Sequence, residues 1–207
     1  MHSLLLATRN AHKTREFAAI LGPGFEVTDL AAFPDQPPVD ETGSTFEENA
    51  TLKALASSRL LPGRLIVADD SGLEVDALGG APGVHSARYA GENATDANNV
   101  AKLLAELARR PGFQPGSGLQ SRSPSPARFV CVLALAEQGE TIGIFRGAVE
   151  GNISEEPRGH DGFGYDPIFQ PAGHHRTFAE LGQAKKNAIS HRARAIAQLR
   201  EHFEKHA

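Results

Sequence analysis

The chain has 207 residues, 40% of them hydrophobic and 22% charged, which suits one globular domain and excludes a stapled mini-protein, a disordered chain and a fibre. A formal net charge of -4 supplies no global basic field, so a nucleic-acid polymer is not the expected partner and any nucleotide bound should be small. The single cysteine forbids an intrachain disulfide, and no apolar run suffices for a signal-peptide core or a bilayer span, so no membrane partner is expected and the cytoplasm is the default location.

Leu4 to Thr8 reads as a short buried strand and Ala11 to Leu21 as a helix stopped by Gly22 and Pro23. The connection through Thr8, Arg9, Asn10, Ala11, His12 and Lys13 therefore leads a strand into a helix N-terminus. Free N–H groups and the helix dipole favour an anion there, and Lys13 adds a full charge. Plain N-capping by Asn10 and a solvated Lys13 explain the same residues. The run lacks the glycines of a Walker A loop.

Phe25 to Leu30 alternates as a second strand, and Pro34, Pro37 and Pro38 exclude regular structure after it, which leaves Glu41 on a loop. Thr45 and Glu48 have the spacing of a capping box, opening a helix through Phe46, Ala50, Ala54 and Ser58. Leu65 to Ala68 reads as a buried strand ending in Asp69, Asp70, Ser71 and Gly72. Two adjacent carboxylates beyond a strand either hold a hard cation such as Mg²⁺, with Glu41 as a further oxygen donor, or form an Asp turn before Gly72.

Leu73 to Gly91 is rich in glycine and turns, after which Thr95 caps a helix striped by Val100, Leu103, Leu104 and Leu107 and ending near Arg110 and Pro111. From Pro111 to Pro126 the composition shifts to Pro, Gly, Ser and Gln, as in a mobile surface loop or an interdomain linker. Arg128 to Ala136 and Glu140 to Val149 read as a hairpin turning at Gln138 and Gly139, with Cys131 facing the core beside Phe129, Leu133 and Leu135. Strands on both sides of the loop favour one mixed sheet in one domain over residues 1–207.

In Asp161 to Pro167, Phe163 and Tyr165 stand beside glycines, where an aromatic face can stack on a base or plug the space under a loop. Thr177 and Glu180 form a second capping box. Ser190 is a natural N-cap for a last helix whose Ile189, Ala193, Ile196 and Phe203 share a face. It places His191 and Arg192 in the first turn, where cations oppose the dipole by roughly 0.3 to 1 kcal/mol each. They serve either an anionic or oxygen-rich ligand or a solvated surface. His174 and His175 lack a helical metal spacing.

In chain order the elements are Thr8-x-Asn10-x-x-Lys13, Glu41-Thr42-Gly43, Thr45-Phe46-x-Glu48-Asn49-Ala50 with Lys53, and Ala68-Asp69-Asp70-Ser71-Gly72-Leu73. Leu78-Gly79-Gly80-Ala81-Pro82-Gly83, Ser86-Ala87-Arg88-Tyr89, Gly162-Phe163-Gly164-Tyr165-Asp166-Pro167 and Ser190-His191-Arg192 follow. The combination closely resembles the Ham1-like inosine triphosphate pyrophosphatase family, nearly end to end. The resemblance implies an α/β fold with an elongated mixed sheet, flanking helices and a central substrate cleft. It also implies a Mg²⁺-dependent homodimer that hydrolyses inosine, deoxyinosine and xanthosine triphosphates to monophosphate and pyrophosphate, removing them from the nucleotide pool. By matching motifs, Thr8, Arg9, Asn10, Ala11, His12 and Lys13 would hold phosphate, and Ser71 would touch substrate. Asp70 would be the catalytic base and, with Glu41, a metal ligand. Phe163, Gly164, Tyr165, Asp166, Lys186, His191 and Arg192 would hold the nucleoside. Arg9 stands where the family commonly has glycine, and the stretch from Pro111 to Pro126 is longer than the family pattern leads one to expect.

These side chains suit phosphoanhydride hydrolysis, with cations neutralising phosphate oxygens while a carboxylate orients or deprotonates water. A broader pyrophosphatase acting on modified pyrimidines and a non-catalytic nucleotide sensor are the rival readings.

Overall fold

The computed structural model describes residues 2–110 and 125–206. Its strands are β1 (His2–Leu6), β2 (Phe25–Asp29), β3 (Leu65–Val75), β4 (Ser125–Glu137), β5 (Glu140–Ile153) and β6 (Phe169–Pro171). Its helices are α1 (Ala11–Leu21), α2 (Phe46–Leu60), α3 (Asp96–Ala108), α4 (Phe178–Leu181), α5 (Gln183–Ile189) and α6 (His191–Lys205). The strands form one six-stranded sheet in the order β2-β1-β3-β4-β5-β6. β1 is parallel to both β2 and β3, while β5 and β6 are antiparallel, so the sheet is mixed and the α/β class is as expected.

Contacts divide the chain into two compact units. The first is Met1–Ser71, Cys131–Ala148 and Asn187–Ala207; the second is Gly72–Val130 and Val149–Lys186.

In the first unit, Leu4, Leu6, Val67, Cys131, Leu133 and Leu135 cluster with Phe17 and Leu21 of α1 and with Ala195, Ile196, Leu199 and Phe203 of α6. Leu5, Ile66, Val132 and Ala134, at the alternate positions, are buried as well. Both faces of these strands are therefore covered, which is why they read as unbroken apolar runs rather than alternating ones. The hairpin from β4 to β5 turns at Gln138 (φ 51) and Gly139 (φ 82), a left-handed pair that matches strand twist. In the second unit, Phe129, Phe169 and Phe178 pack ring against ring with centroids 4.6 to 6.1 Å apart. Val100, Leu103 and Leu107 bury one stripe of α3, whose N-terminus carries a complete capping box between Thr95 and Asn98.

Several local expectations are corrected. β1 stops at Leu6, so Thr8 lies outside it. β3 does not end at Ala68: it runs through Asp69 and Asp70 to Val75, so the carboxylates stand within a strand and not in an Asp turn. Leu73 and Val75 are fully buried, and their burial carries the extended backbone onward. The capping box at Thr45 is half formed. The Thr45 hydroxyl accepts the Glu48 N–H, but the Glu48 carboxylate accepts from the backbone and hydroxyl of Ser44, which offers two donors. Thr177 and Glu180 form the complete version. Ile189 closes α5 and does not share a face of α6. Of the expected loop, residues 111–124 lie outside the described residues, while Ser125 and Pro126 open β4, where a strand tolerates proline. Among the described residues, no helix is long and apolar enough to cross a membrane.

Candidate active site

At the start of α1, Asn10 Oδ1 accepts the N–H groups of His12 at 2.9 Å and Lys13 at 3.3 Å, so Asn10 is the N-cap. The Thr8 hydroxyl accepts the Asn10 N–H at 3.1 Å, and these bonds fix the run from Thr8 to Lys13. Arg9 donates to the Gln36 carbonyl at 2.7 Å, fastening the connection to the proline-rich segment after β2. Ala11 and His12 are exposed, and the His12 ring meets Arg15 at 3.1 Å. The ammonium of Lys13 points back to Asp69 Oδ1 at 2.5 Å.

Successive side chains of a strand point to opposite faces, and Asp69 and Asp70 accordingly meet different partners. Asp69, 2% exposed, accepts from Lys13 and from the Ser71 hydroxyl at 2.9 Å on one oxygen. Its other oxygen accepts from Arg192 Nε at 2.9 Å and Cys131 Sγ at 3.2 Å. Burial alone would push its carboxyl up, but Arg192 and then Lys13 outweigh it and hold the group well below the usual carboxylate range. Cys131 is pushed well above the usual thiol range by burial and by the Asp69 charge. The fully buried Arg192 also donates to Glu16 of α1 and to Ser71 Oγ at 3.0 Å.

Asp70 faces Lys53 of α2, whose ammonium lies 2.7 Å from Asp70 Oδ1, 2.9 Å from Glu41 Oε1 and 3.0 Å from the Asp69 carbonyl. Burial raises the Asp70 carboxyl above its ordinary value, and the Lys53 charge offsets this only in part. For Lys53, burial favours the neutral form, but Asp70 and Glu41 together raise it and keep it an ammonium. Asp70 Oδ2 is buried with no hydrogen-bond partner among the described residues.

Two glycines permit this geometry. Gly43 gives its N–H to Asn49 Oδ1 at 2.8 Å, and a Cβ there would lie 2.6 Å from Glu48 Cβ, so glycine lets the Glu41 loop close on α2. At Gly147 of β5 a Cβ would lie 2.1 Å from the His191 carbonyl oxygen, so only glycine admits the first turn of α6 and with it Arg192. His191 is itself buried.

The second unit holds another cluster. Asp166 Oδ2 accepts the Lys186 ammonium at 2.6 Å and the Phe163 N–H at 2.9 Å, with both Asp166 and Lys186 buried. The Lys186 ammonium also lies 4.5 Å from the centroid of the half-buried Phe163 ring. Gly164 gives its N–H to Asp96 at 2.6 Å, and the buried Tyr165 donates its hydroxyl to the Ser86 carbonyl at 2.9 Å. An aromatic loop is thus folded around a carboxylate that is neutralised by a lysine.

The pattern of the Ham1 family matches residues 4–202 of this sequence. The chain belongs to the Ham1 family. It is 52% identical to a protein of Geobacillus kaustophilus named dITP/XTP pyrophosphatase, over 99% of this chain and 95% of that one. A Bacillus subtilis protein of the same name is 45% identical, over 99% and 98%. Among solved structures, a HAM1 protein from Coxiella burnetii superposes with a TM-score of 0.83 at 42% identity, over 99% of this chain and 100% of that one.

In this Ham1 chain, Lys13, Glu41, Asp70, Ser71 and Arg192 are linked directly or through Asp69 and Lys53 in the first unit, which also contains Thr8 to His12 and His191. Phe163, Gly164, Tyr165, Asp166 and Lys186 come together in the second. The site reading of the sequence left out Glu16, Lys53 and Asp96, and it offered Asp69 only as a cation ligand beside Asp70 or a turn residue, whereas both its oxygens are taken by Lys13, Ser71, Arg192 and Cys131. Glu16 carried a signal, since Lys13, Glu16, Phe17, Ile20 and Leu21 follow the spacing of a buried helical stripe. Lys53 likewise continues the stripe of Phe46, Asn49, Ala50, Ala54 and Ser57. A charge on such a stripe needs a buried partner. Asp96 carried none beyond its place in the first turn of α3.

Glu41 and Asp70 suit a hard cation, because both reach one ammonium and the orphaned Asp70 Oδ2 is a further oxygen donor. Among the described residues, no group of three or more His, Cys, Asp or Glu side chains is placed to hold a metal ion. Two carboxylates supplemented by substrate phosphate remain a common way to hold Mg²⁺.

Proposed function

We propose that this chain hydrolyses deoxyinosine, inosine and xanthosine triphosphates between the first and second phosphates, with Mg²⁺, as a cytoplasmic homodimer. Water adds across the phosphoanhydride, and nucleoside monophosphate and pyrophosphate leave. The observation that carries the chemistry is the buried Asp70, whose carboxyl is raised and whose Oδ2 is left without a partner beside an ammonium. The substrate class rests on the relatives named dITP/XTP pyrophosphatase.

In this reading Asp70 Oδ2 accepts the proton of the attacking water. Lys13 and Lys53 neutralise the phosphate oxygens, and Asp69 holds the Lys13 ammonium in place. Thr8, Arg9, Asn10, Ala11 and His12 shape the phosphate-binding connection, and Ser71, fixed between Asp69 and Arg192, contacts substrate. Glu41 and Asp70 hold the cation. When bound there, Mg²⁺ supplies charge neutralisation and polarises the phosphate oxygens. The nucleoside is assigned to Phe163, Gly164, Tyr165, Asp166 and Lys186, which the second unit gathers. Phe163 offers the stacking face, while the Lys186 donor suits the six-position oxygen of hypoxanthine and xanthine, where adenine presents an amine.

Product chromatography after incubation with dITP, XTP, dATP and modified pyrimidine triphosphates tests the proposal. Monophosphate and pyrophosphate from dITP and XTP, well ahead of dATP, are expected. Release of diphosphate and orthophosphate, or no turnover of dITP and XTP, would overturn it.

A further inference from the structure

The Lys53 ammonium has three N–H donors and meets three oxygens: Glu41 Oε1 at 2.9 Å, Asp70 Oδ1 at 2.7 Å and the Asp69 carbonyl at 3.0 Å. No donor is left over for a phosphate. If Lys53 is to touch substrate, it must first give up one of these partners. The surrounding oxygens, two of them carboxylate, are also the set a hard cation would choose.

We propose that Lys53 is an internal counter-ion that occupies the cation position between Glu41 and Asp70, so that divalent metal and triphosphate bind as a coupled pair. The inference rests on the metal assignment of the proposed function and adds an order to it. With Lys53 in place the two carboxylates and one ammonium carry a net charge of -1, and the ammonium repels an incoming divalent ion. A triphosphate gives the ammonium another anion to neutralise, which frees both carboxylates for metal. Each ligand then strengthens the other by the same factor, as linkage requires. The orphaned Asp70 Oδ2 fits this account, since the oxygen donors exceed what one ammonium can satisfy. The side chain cannot simply swing into bulk water, because it is only 12% exposed on the inward stripe of α2.

Mn²⁺ titration followed by electron paramagnetic resonance reads metal binding without turnover. In nucleotide-free protein, Lys53→Met is expected to bind Mn²⁺ about fivefold or more tighter than the wild type, the lower end of typical coupling factors. Adding Glu41→Gln to that variant should remove the gain. The α,β-methylene analogue of dITP, after correction for Mn²⁺ held by the free analogue, should tighten Mn²⁺ binding in the wild type more than in Lys53→Met. Lys53→Gln serves if Lys53→Met does not fold, with the same expectations. Unchanged or weaker Mn²⁺ binding on loss of the ammonium overturns the proposal, as does a gain that survives Glu41→Gln. Hydrolysis of dITP by wild-type protein is scored separately. Turnover with unchanged Mn²⁺ affinity refutes only the coupling, and coupling without turnover refutes only the assigned reaction.

Discussion

Arg192→Ala is expected to destabilise the protein by several kcal/mol, whatever it does to catalysis. The Arg192 side chain is 1% exposed and donates to Asp69 and Glu16, whose side chains are 0% and 5% exposed. Removing one member of a buried ion pair costs about 3 to 5 kcal/mol, because the remaining charge keeps its desolvation penalty. Asp69 retains Lys13, which places the loss toward the lower part of that range. For a domain of this size each kcal/mol moves Tm by roughly 2 to 4 °C, so a fall of about 6 to 15 °C is expected. Thermal denaturation followed by circular dichroism at neutral pH measures it. Combining Arg192→Met with Glu16→Leu isolates the pair, since apolar replacement of both partners is often neutral or stabilising where single replacement is not. The double variant should therefore regain part of what Arg192→Met loses. A Tm within about 2 °C of the wild type for Arg192→Ala would show that the interior does not depend on this pair.

Asp70→Asn should lower single-turnover hydrolysis of dITP more than about tenfold, or ~1.4 kcal/mol, while calorimetric binding of the nucleotide persists; a smaller loss removes Asp70 from the centre of the mechanism. Acid should unfold the wild type partly through Asp69. Its carboxyl is depressed in the folded protein, so its stabilisation is complete above the unfolded value of about 3.9 and disappears as pH falls through the native value. Equilibrium unfolding of Asp69→Asn from pH 6 downward should therefore show a flatter acid limb, and an unchanged slope would contradict the assignment. Gly162 has φ +83, and a Cβ there would lie 2.1 Å from Asp166 Oδ2. Gly162→Ala should strain the aromatic loop by about 1 to 3 kcal/mol and raise KM for dITP more than it lowers kcat; an unaltered KM would remove the loop from nucleoside binding.

What the sequence made legible followed from periodicity and local hydrogen bonding. The extent of α1, the caps at Thr95, Thr177 and Ser190, and the hairpin at Gln138 and Gly139 each depend on residues within a few positions of one another. The extension of β3 through Asp69 and Asp70 was not legible, because local propensity treats two aspartates before a glycine as a turn. Tertiary partners decide otherwise. Arg192 and Lys13 neutralise Asp69, Lys53 neutralises Asp70, and Arg192 comes from a helix more than a hundred residues away. The same reasoning explains why Arg192 occupies the unfavourable first turn of α6. The dipole penalty is under about 1 kcal/mol for a cation there, whereas the ion pairs of Arg192 with Asp69 and Glu16 decide between a paired interior and stranded buried charge. The larger effect sets the sequence. A cation that offends a helix terminus, or a charge on an apolar stripe such as Glu16 or Lys53, therefore points to a long-range partner before it points to a ligand.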